Sequence, residues 1–202
     1  MLLRVGLTGG IASGKSVVGR ELERLGCHLI EADALGHQTL LPDGEAYEPV
    51  ISLFGEAVLD PVTRSIDRKK LGQMVFHQPD KLAALNAIVH PAVRRLSEAM
   101  IREIPHGIVV YEAAILIETG GYKDFDRLIV AACPEELQVA RAMARDGVDR
   151  DTVLARMRRQ LPLAEKVVHA HYVIDTSGTL EQTLEQTRNV HQALVVYGEN
   201  VT

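Results

Sequence analysis

Residues 9–16 read Gly-Gly-Ile-Ala-Ser-Gly-Lys-Ser and satisfy the spacing G-x-x-x-x-G-K-[ST] at every fixed position. Glycines at this spacing let successive backbone N–H groups turn inward around phosphate oxygens, an approach that side chains would block. Lys15 adds a cation for the β- and γ-phosphates, and the Ser16 hydroxyl can hold Mg²⁺. The chemistry indicated is binding of a nucleoside triphosphate through Gly9, Gly10, Ile11, Ala12, Ser13, Gly14, Lys15 and Ser16, with Val17 following in the helix. The loop alone does not name what receives the phosphate.

Other residues carry chemistry at positions the pattern makes meaningful. Asp33 closes the apolar run 27–31, where it can act on a ligand, cap a helix over 34–41, or do both. Glu112 directly follows the apolar run 108–111, where an acid can orient Mg²⁺-bound water or cap a helix. Residues 141–166 hold seven basic side chains, Arg141 and Arg145 among them, against four acidic ones. That segment has a local charge of +3 and the remainder −8. One arginine-rich segment on an acidic chain suits a small polyanion held at one place, although several of these arginines will simply face solvent. Arg64 and Arg68 are either surface charges or anion ligands, and on residue chemistry alone His90 reads as a polar residue at a helix break.

The elements that must position these groups follow from apolar runs alternating with helical periodicity, the pattern of a parallel sheet with crossover helices. Strands are expected at 2–8, 27–31, 108–111, 127–132 and 172–175. A helix over 15–25 follows the loop, supplying the strand–loop–helix context that the motif requires. Between about 36 and 104 the pattern is helical: 47–54, 67–76, and a helix from Pro79 interrupted at His90-Pro91, because a residue before proline resists the α region. A polar connection over 55–65 could hold a small hairpin. Pro134 starts a helix to Asp146, Asp149 caps another whose apolar residues Val153, Met157 and Leu161 recur every fourth position, and 179–195 closes the chain. The expected organisation is one α/β domain with a five-stranded parallel sheet. Its core is 1–35, 105–140 and 167–202, with a helical insertion at 36–104 for the second substrate and an arginine-bearing lid at 141–166.

Bulk properties remove several classes. With 202 residues, 47% hydrophobic and no Trp, the chain can bury a sizeable aliphatic core. A net charge of −5 argues against a general nucleic-acid binder. There is no apolar run of membrane-spanning length and no secretory signal before the first strand, so a cytoplasmic protein is expected. Cys27 and Cys133 lack metal-ligand spacing and read as buried thiols. No N-K-x-D stretch is present to read guanine, which leaves a small-molecule kinase ahead of a GTPase. Within the kinases the acceptor stays open, another nucleoside or nucleotide being the nearer alternative, and a nucleotide-dependent ATPase switch without a small-molecule acceptor is the other.

At this point the chain resembles the dephospho-coenzyme A kinases. Residues 7–16 resemble that family's opening, in which Gly-Gly-Ile is distinctive, and Glu31-Ala32-Asp33 resembles its D-A-D segment. Ile66-Asp67-Arg68 with Leu71 and Val75-Phe76, His90-Pro91, and 114–118 with Leu116 and Glu118 match further family patterns. So do Arg141, Arg145-Asp146, Arg156-Met157 with Gln160, and Val173-Ile174-Asp175 with Gly178. Ala114, Glu31, Glu112, His171 and Thr176 depart from the usual residues. The last two flank the loop expected near the adenine. The resemblance implies a three-layer P-loop fold and phosphorylation of a ribose 3′-hydroxyl by ATP with Mg²⁺. It implies Asp33 as catalytic base and Lys15, Arg141 and Arg145 as catalytic cations. Asp33, Arg68, His90, Leu116 and Glu118 would bind the acceptor, and Ser16, with Glu112 through water, would hold the metal. A monomer or small homo-oligomer working on ATP and dephospho-coenzyme A is expected, with no nucleic-acid or membrane partner.

Overall fold

The computed structural model describes residues 1–76 and 78–200, without the Phe76 side chain, whose place in the family pattern therefore lies outside the described residues. Five strands form one all-parallel sheet in the order β2-β3-β1-β4-β5: β1 (Leu2–Gly9), β2 (His28–Glu31), β3 (Gly107–Glu112), β4 (Arg127–Ala132) and β5 (Tyr172–Asp175). Leu3, Val5 and Leu7 of the central strand are nearly or fully buried, as a strand covered on both faces requires. The register aligns Leu7 with Glu112, Glu31 with Glu112, Gly9 with Ala131 and Ala132 with Asp175. All five strands therefore end at one edge, where open α/β sheets place their ligands.

The chain divides into two compact units. The first comprises Met1–Glu31 and the chain from Ile104 onward. It contains the sheet, α1 (Lys15–Arg24) and, after the second unit, α6 (Glu135–Asp146), α7 (Arg150–Met157), α8 (Leu163–Val168) and α9 (Leu180–Asn200). Val18 and Leu22 of α1 and Leu194 of α9 join Leu3, Val5, Leu7, Val110, Ile129 and Ile174 in its main core. Helix ends follow their local chemistry. Asp149 accepts from the Thr152 amide at 2.8 Å to start α7. Thr179 and Gln182 cap α9 reciprocally, at 3.2 and 2.8 Å.

The second unit, Ala32–Glu103, is the helical insertion: α2 (Ala32–Thr39), α3 (Tyr47–Phe54), α4 (Arg68–Phe76) and α5 (Pro79–Arg102). Its own core contains Tyr47, Val50, Val58, Leu59, Ile66, Leu71, Val75 and Ala92. An isolated antiparallel bridge, Leu59 to Ile66, closes the small hairpin in the connection. The Asp67 carboxylate accepts from the Lys69 and Lys70 amides at 3.0 and 3.1 Å and opens α4.

Some expected boundaries move. Helix α5 is continuous through His90 and Pro91 rather than interrupted there. Proline removes one helical hydrogen bond, a cost of about 3 kcal/mol, but Ala92, Val93, Ser97 and Ile101 beyond it are buried and hold the same helix in place. Helix α2 starts at Ala32, so Asp33 lies inside its first turn rather than ahead of it. Helix α7 stops at Met157, and the short α8, absent from the expectations, takes up the chain at Leu163. Helix α9 continues past 195 to Asn200.

Candidate active site

The loop between β1 and α1 takes its shape from close packing. Gly14 caps α1 in the left-handed region, φ 87°, and a Cβ there would lie 3.1 Å from Thr176 Cβ. Gly10 lies so close to the Gln138 carboxamide that any Cβ would collide with it. Ala12 adopts φ 51°, uncommon for a residue with a side chain. Beneath the loop, Thr176 binds it to the sheet: its hydroxyl donates to the Ser13 carbonyl at 2.6 Å, and its amide donates to Ala132 at 2.8 Å. Ser13 is fully buried, and its hydroxyl makes no hydrogen bond among the described residues.

Lys15 folds back over the loop, its ammonium donating to the Gly10 carbonyl at 3.2 Å. Ser16 donates to Glu112 Oε1 at 3.1 Å. This pair exists because β3 lies beside β1 with Glu112 opposite Leu7, so residues 96 apart in sequence meet at the loop. A hydroxyl and a carboxylate are hard oxygen donors suited to Mg²⁺, which in such sites takes its other ligands from phosphate and water. Among the described residues no group of three or more His, Cys, Asp or Glu side chains could hold a metal ion. Val17 is 38% exposed.

The arginines of segment 141–166 are deployed differently. Arg141 donates to the Thr176 carbonyl at 2.8 Å and to Cys133 Sγ at 3.7 Å, and so joins the support of the loop. Arg145 is exposed and paired with Asp146 at 2.7 Å; Arg156 shares the same carboxylate at 2.9 Å. The Arg145 guanidinium holds the Asp146 carboxyl below its usual range. A cavity of about 870 Å³ opens against the loop, with Gly10, Gln138, Gln160, Asp175 and Ser177 in its wall. That volume suits a nucleotide-sized ligand.

Leu116 is buried, against Gly6 of β1. Glu118 pairs with the fully buried Lys166 at 2.7 Å and accepts from the Leu161 amide at 3.0 Å. Lys166 also donates to the Ala114 carbonyl at 2.8 Å. The sequence carries no sign of this pair, since Lys166 reads as one more cation of the lid.

In the helical unit, Asp33 is exposed in the first turn of α2, and His37 lies one turn further along the same helix. Arg68 opens α4. Desolvation, and then the Arg68 charge, lower the His37 pKa from 6.5, while Asp33 opposes them. Asp33 and Arg68 are therefore the charges that act on His37. The four-residue spacing from Asp33 was the available signal for His37. His90 sits on α5, where desolvation favours its neutral ring.

The profile of one family, dephospho-CoA kinase, matches residues 3–182. The chain belongs to the dephospho-CoA kinase family. A dephospho-CoA kinase of Geobacter metallireducens is 43% identical, covering 92% of this chain and 93% of that one. A Thermus thermophilus protein of known crystal structure is 36% identical with a TM-score of 0.83, covering 95% of this chain and 96% of the other. Dephospho-CoA kinase from Campylobacter jejuni superposes with a TM-score of 0.64 at 25% identity, over 95% and 97% of the two chains. Thr176 and His171, expected beside the adenine, both have structural employment. Thr176 supports the loop, and His171 Nδ1 accepts from the Leu128 amide of β4 at 3.1 Å.

Proposed function

We propose that this protein phosphorylates the ribose 3′-hydroxyl of dephospho-coenzyme A with ATP, the last step of coenzyme A biosynthesis. One observation carries the reading: a complete phosphate loop, its Ser16 hydroxyl on Glu112, in a chain that shares nearly its whole length with proteins of that name. The cytoplasm is the expected compartment. Among the described residues, no helix is long and apolar enough to cross a membrane.

In this mechanism the loop amides and the N-terminus of α1 bind the triphosphate. Lys15 leaves the Gly10 carbonyl for the phosphates, and Ser16 would hold Mg²⁺, with Glu112 acting through water. The ion supplies charge neutralisation for the β- and γ-phosphates. Asp33 accepts a hydrogen bond from the acceptor hydroxyl and orients it in line. The oxygen–phosphorus bond forms as the bond to ADP breaks, and the hydroxyl proton passes to Asp33 and on to solvent. A weak base suffices because the transition state is loose. Arg141 and Arg145 stabilise charge on the transferred group when the lid, residues 141–166, closes. The helical segment 36–104 holds the acceptor, and Arg68, His90, Leu116 and Glu118 are the residues expected to contact it.

The test is an ADP-release assay comparing dephospho-coenzyme A with adenosine, AMP and uridine as acceptors. Clear preference for dephospho-coenzyme A is expected. Preference for another acceptor removes the substrate assignment, and acceptor-independent hydrolysis alone favours an ATPase switch.

A further inference from the structure

Ile11 donates its backbone N–H not to the loop itself but to the Gln160 carboxamide, at 3.1 Å across 149 residues. Apolar packing supports the same contact: Ile11 and Ala12 pack on the cluster of Val139, Ala142 and Val153, beside Leu154 and Met157 of the lid. Gln160 is itself held on both sides. Its amide donates to the Met157 carbonyl at 2.9 Å as α7 ends, and the next amide, Leu161, donates to Glu118 at 3.0 Å. Glu118 is paired with buried Lys166, which donates to the Ala114 carbonyl, and Thr8, at the foot of the loop, donates to the same carbonyl at 3.4 Å. A polar circuit thus runs from the end of β1 through the buried ion pair to Gln160 and back to the loop at Ile11.

We propose that Gln160 is a positioning residue for the phosphate loop. Its carboxamide fixes residues 11–12, where Ala12 holds an uncommon left-handed conformation that only its surroundings can maintain. Because the Ile11 N–H is committed to the protein, the phosphates are served by the later amides of the loop. The residue type matters: a neutral acceptor satisfies the amide without placing negative charge beside a triphosphate, whereas Glu would add that charge and Lys or Arg would offer no acceptor. The role rests on the ATP-binding part of the proposed function.

The test measures ATP affinity by calorimetry with Mg²⁺ and no acceptor, for wild type, Gln160→Leu and Gln160→Glu. Steady-state constants and melting curves accompany it. Gln160→Leu removes the acceptor at similar volume and is expected to weaken ATP binding by about tenfold, the size of one buried hydrogen bond. KM for ATP should rise in parallel while KM for the acceptor stays close to wild type, and the melting temperature should fall by no more than one lost hydrogen bond implies. Gln160→Glu keeps an acceptor oxygen and so should melt like wild type, yet bind ATP more weakly than Gln160→Leu. ATP affinity within about twofold of wild type in Gln160→Leu, at the precision of such measurements, overturns the proposal. So does a common loss of both KM values with melting temperature, which marks a merely structural residue. Since the binding assay uses no acceptor, it remains decisive even if the acceptor proves not to be dephospho-coenzyme A.

Discussion

At the scale of single residues, the proposed chemistry depends on a few atoms whose removal has distinct signatures. Asp33 is exposed on α2, in the unit that does not contain the loop. Asp33→Asn should therefore lower kcat by about 10²–10⁴-fold, the range of a lost general base, while calorimetric ATP affinity stays near normal. Near-wild-type turnover would remove Asp33 from its role. Gly14 makes the opposite case. Its left-handed φ of 87° disfavours any side chain, and an added methyl group would press on Thr176. Gly14→Ala is expected to cost about 1–2 kcal/mol in backbone strain and to reduce ATP affinity by an order of magnitude or more. Normal ATP binding by the Gly14→Ala variant would show that the loop tolerates another backbone shape.

At the scale of elements, the tie between α8 and residues 114–118 matters most. Lys166 is fully buried and Glu118 is 16% exposed in its side chain. Removing one partner of such a pair strands a charge, at a cost of about 3–5 kcal/mol. Lys166→Met should therefore lose stability in urea denaturation by that amount, and the double variant Lys166→Met with Glu118→Leu should recover much of it. If the double variant is no better than the single one, packing rather than charge carries the effect. The surface pairs between α6 and α7, Arg150 with Glu136 and Arg156 with Asp146, are exposed and screened by solvent, so they contribute little.

At the scale of the whole molecule, the histidines set the response to acid. His37, His90, His171 and His191 are all lowered from 6.5, in each case chiefly by desolvation. A lowered histidine pKa means that the unfolded chain binds protons first as pH falls. The stability these groups contribute is complete above 6.5 and is lost as pH drops through their folded values. Glu21, held below 4.5 by Arg24 and also paired with Arg188 of α9, adds a second loss at lower pH. Melting temperature should be level from pH 8 to 7 and decline from about 6.5 downward, the ordinary histidine value. His171→Asn should flatten part of the first decline, because protonating its Nδ1 breaks the bond from Leu128. A melting temperature that rises on acidification would contradict this account.

Local signals on the sequence were enough for the phosphate loop, the five strands, the helical character of the insertion and the family, because glycine spacing, apolar runs and capping residues act over a few neighbours. Asp149 and Pro134 start helices as their chemistry demands. His90-Pro91 shows the limit of that reading, since burial beyond the proline keeps α5 whole against a local preference. Only the tertiary structure decided which distant groups meet: Glu112 with Ser16 through strand register, Thr176 with Ser13, Lys166 with Glu118, and Gln160 with Ile11. These partners lie far apart along the chain, and no spacing rule links them. A buried donor or acceptor takes whichever partner the packed core presents, and that choice exists only once the chain has folded.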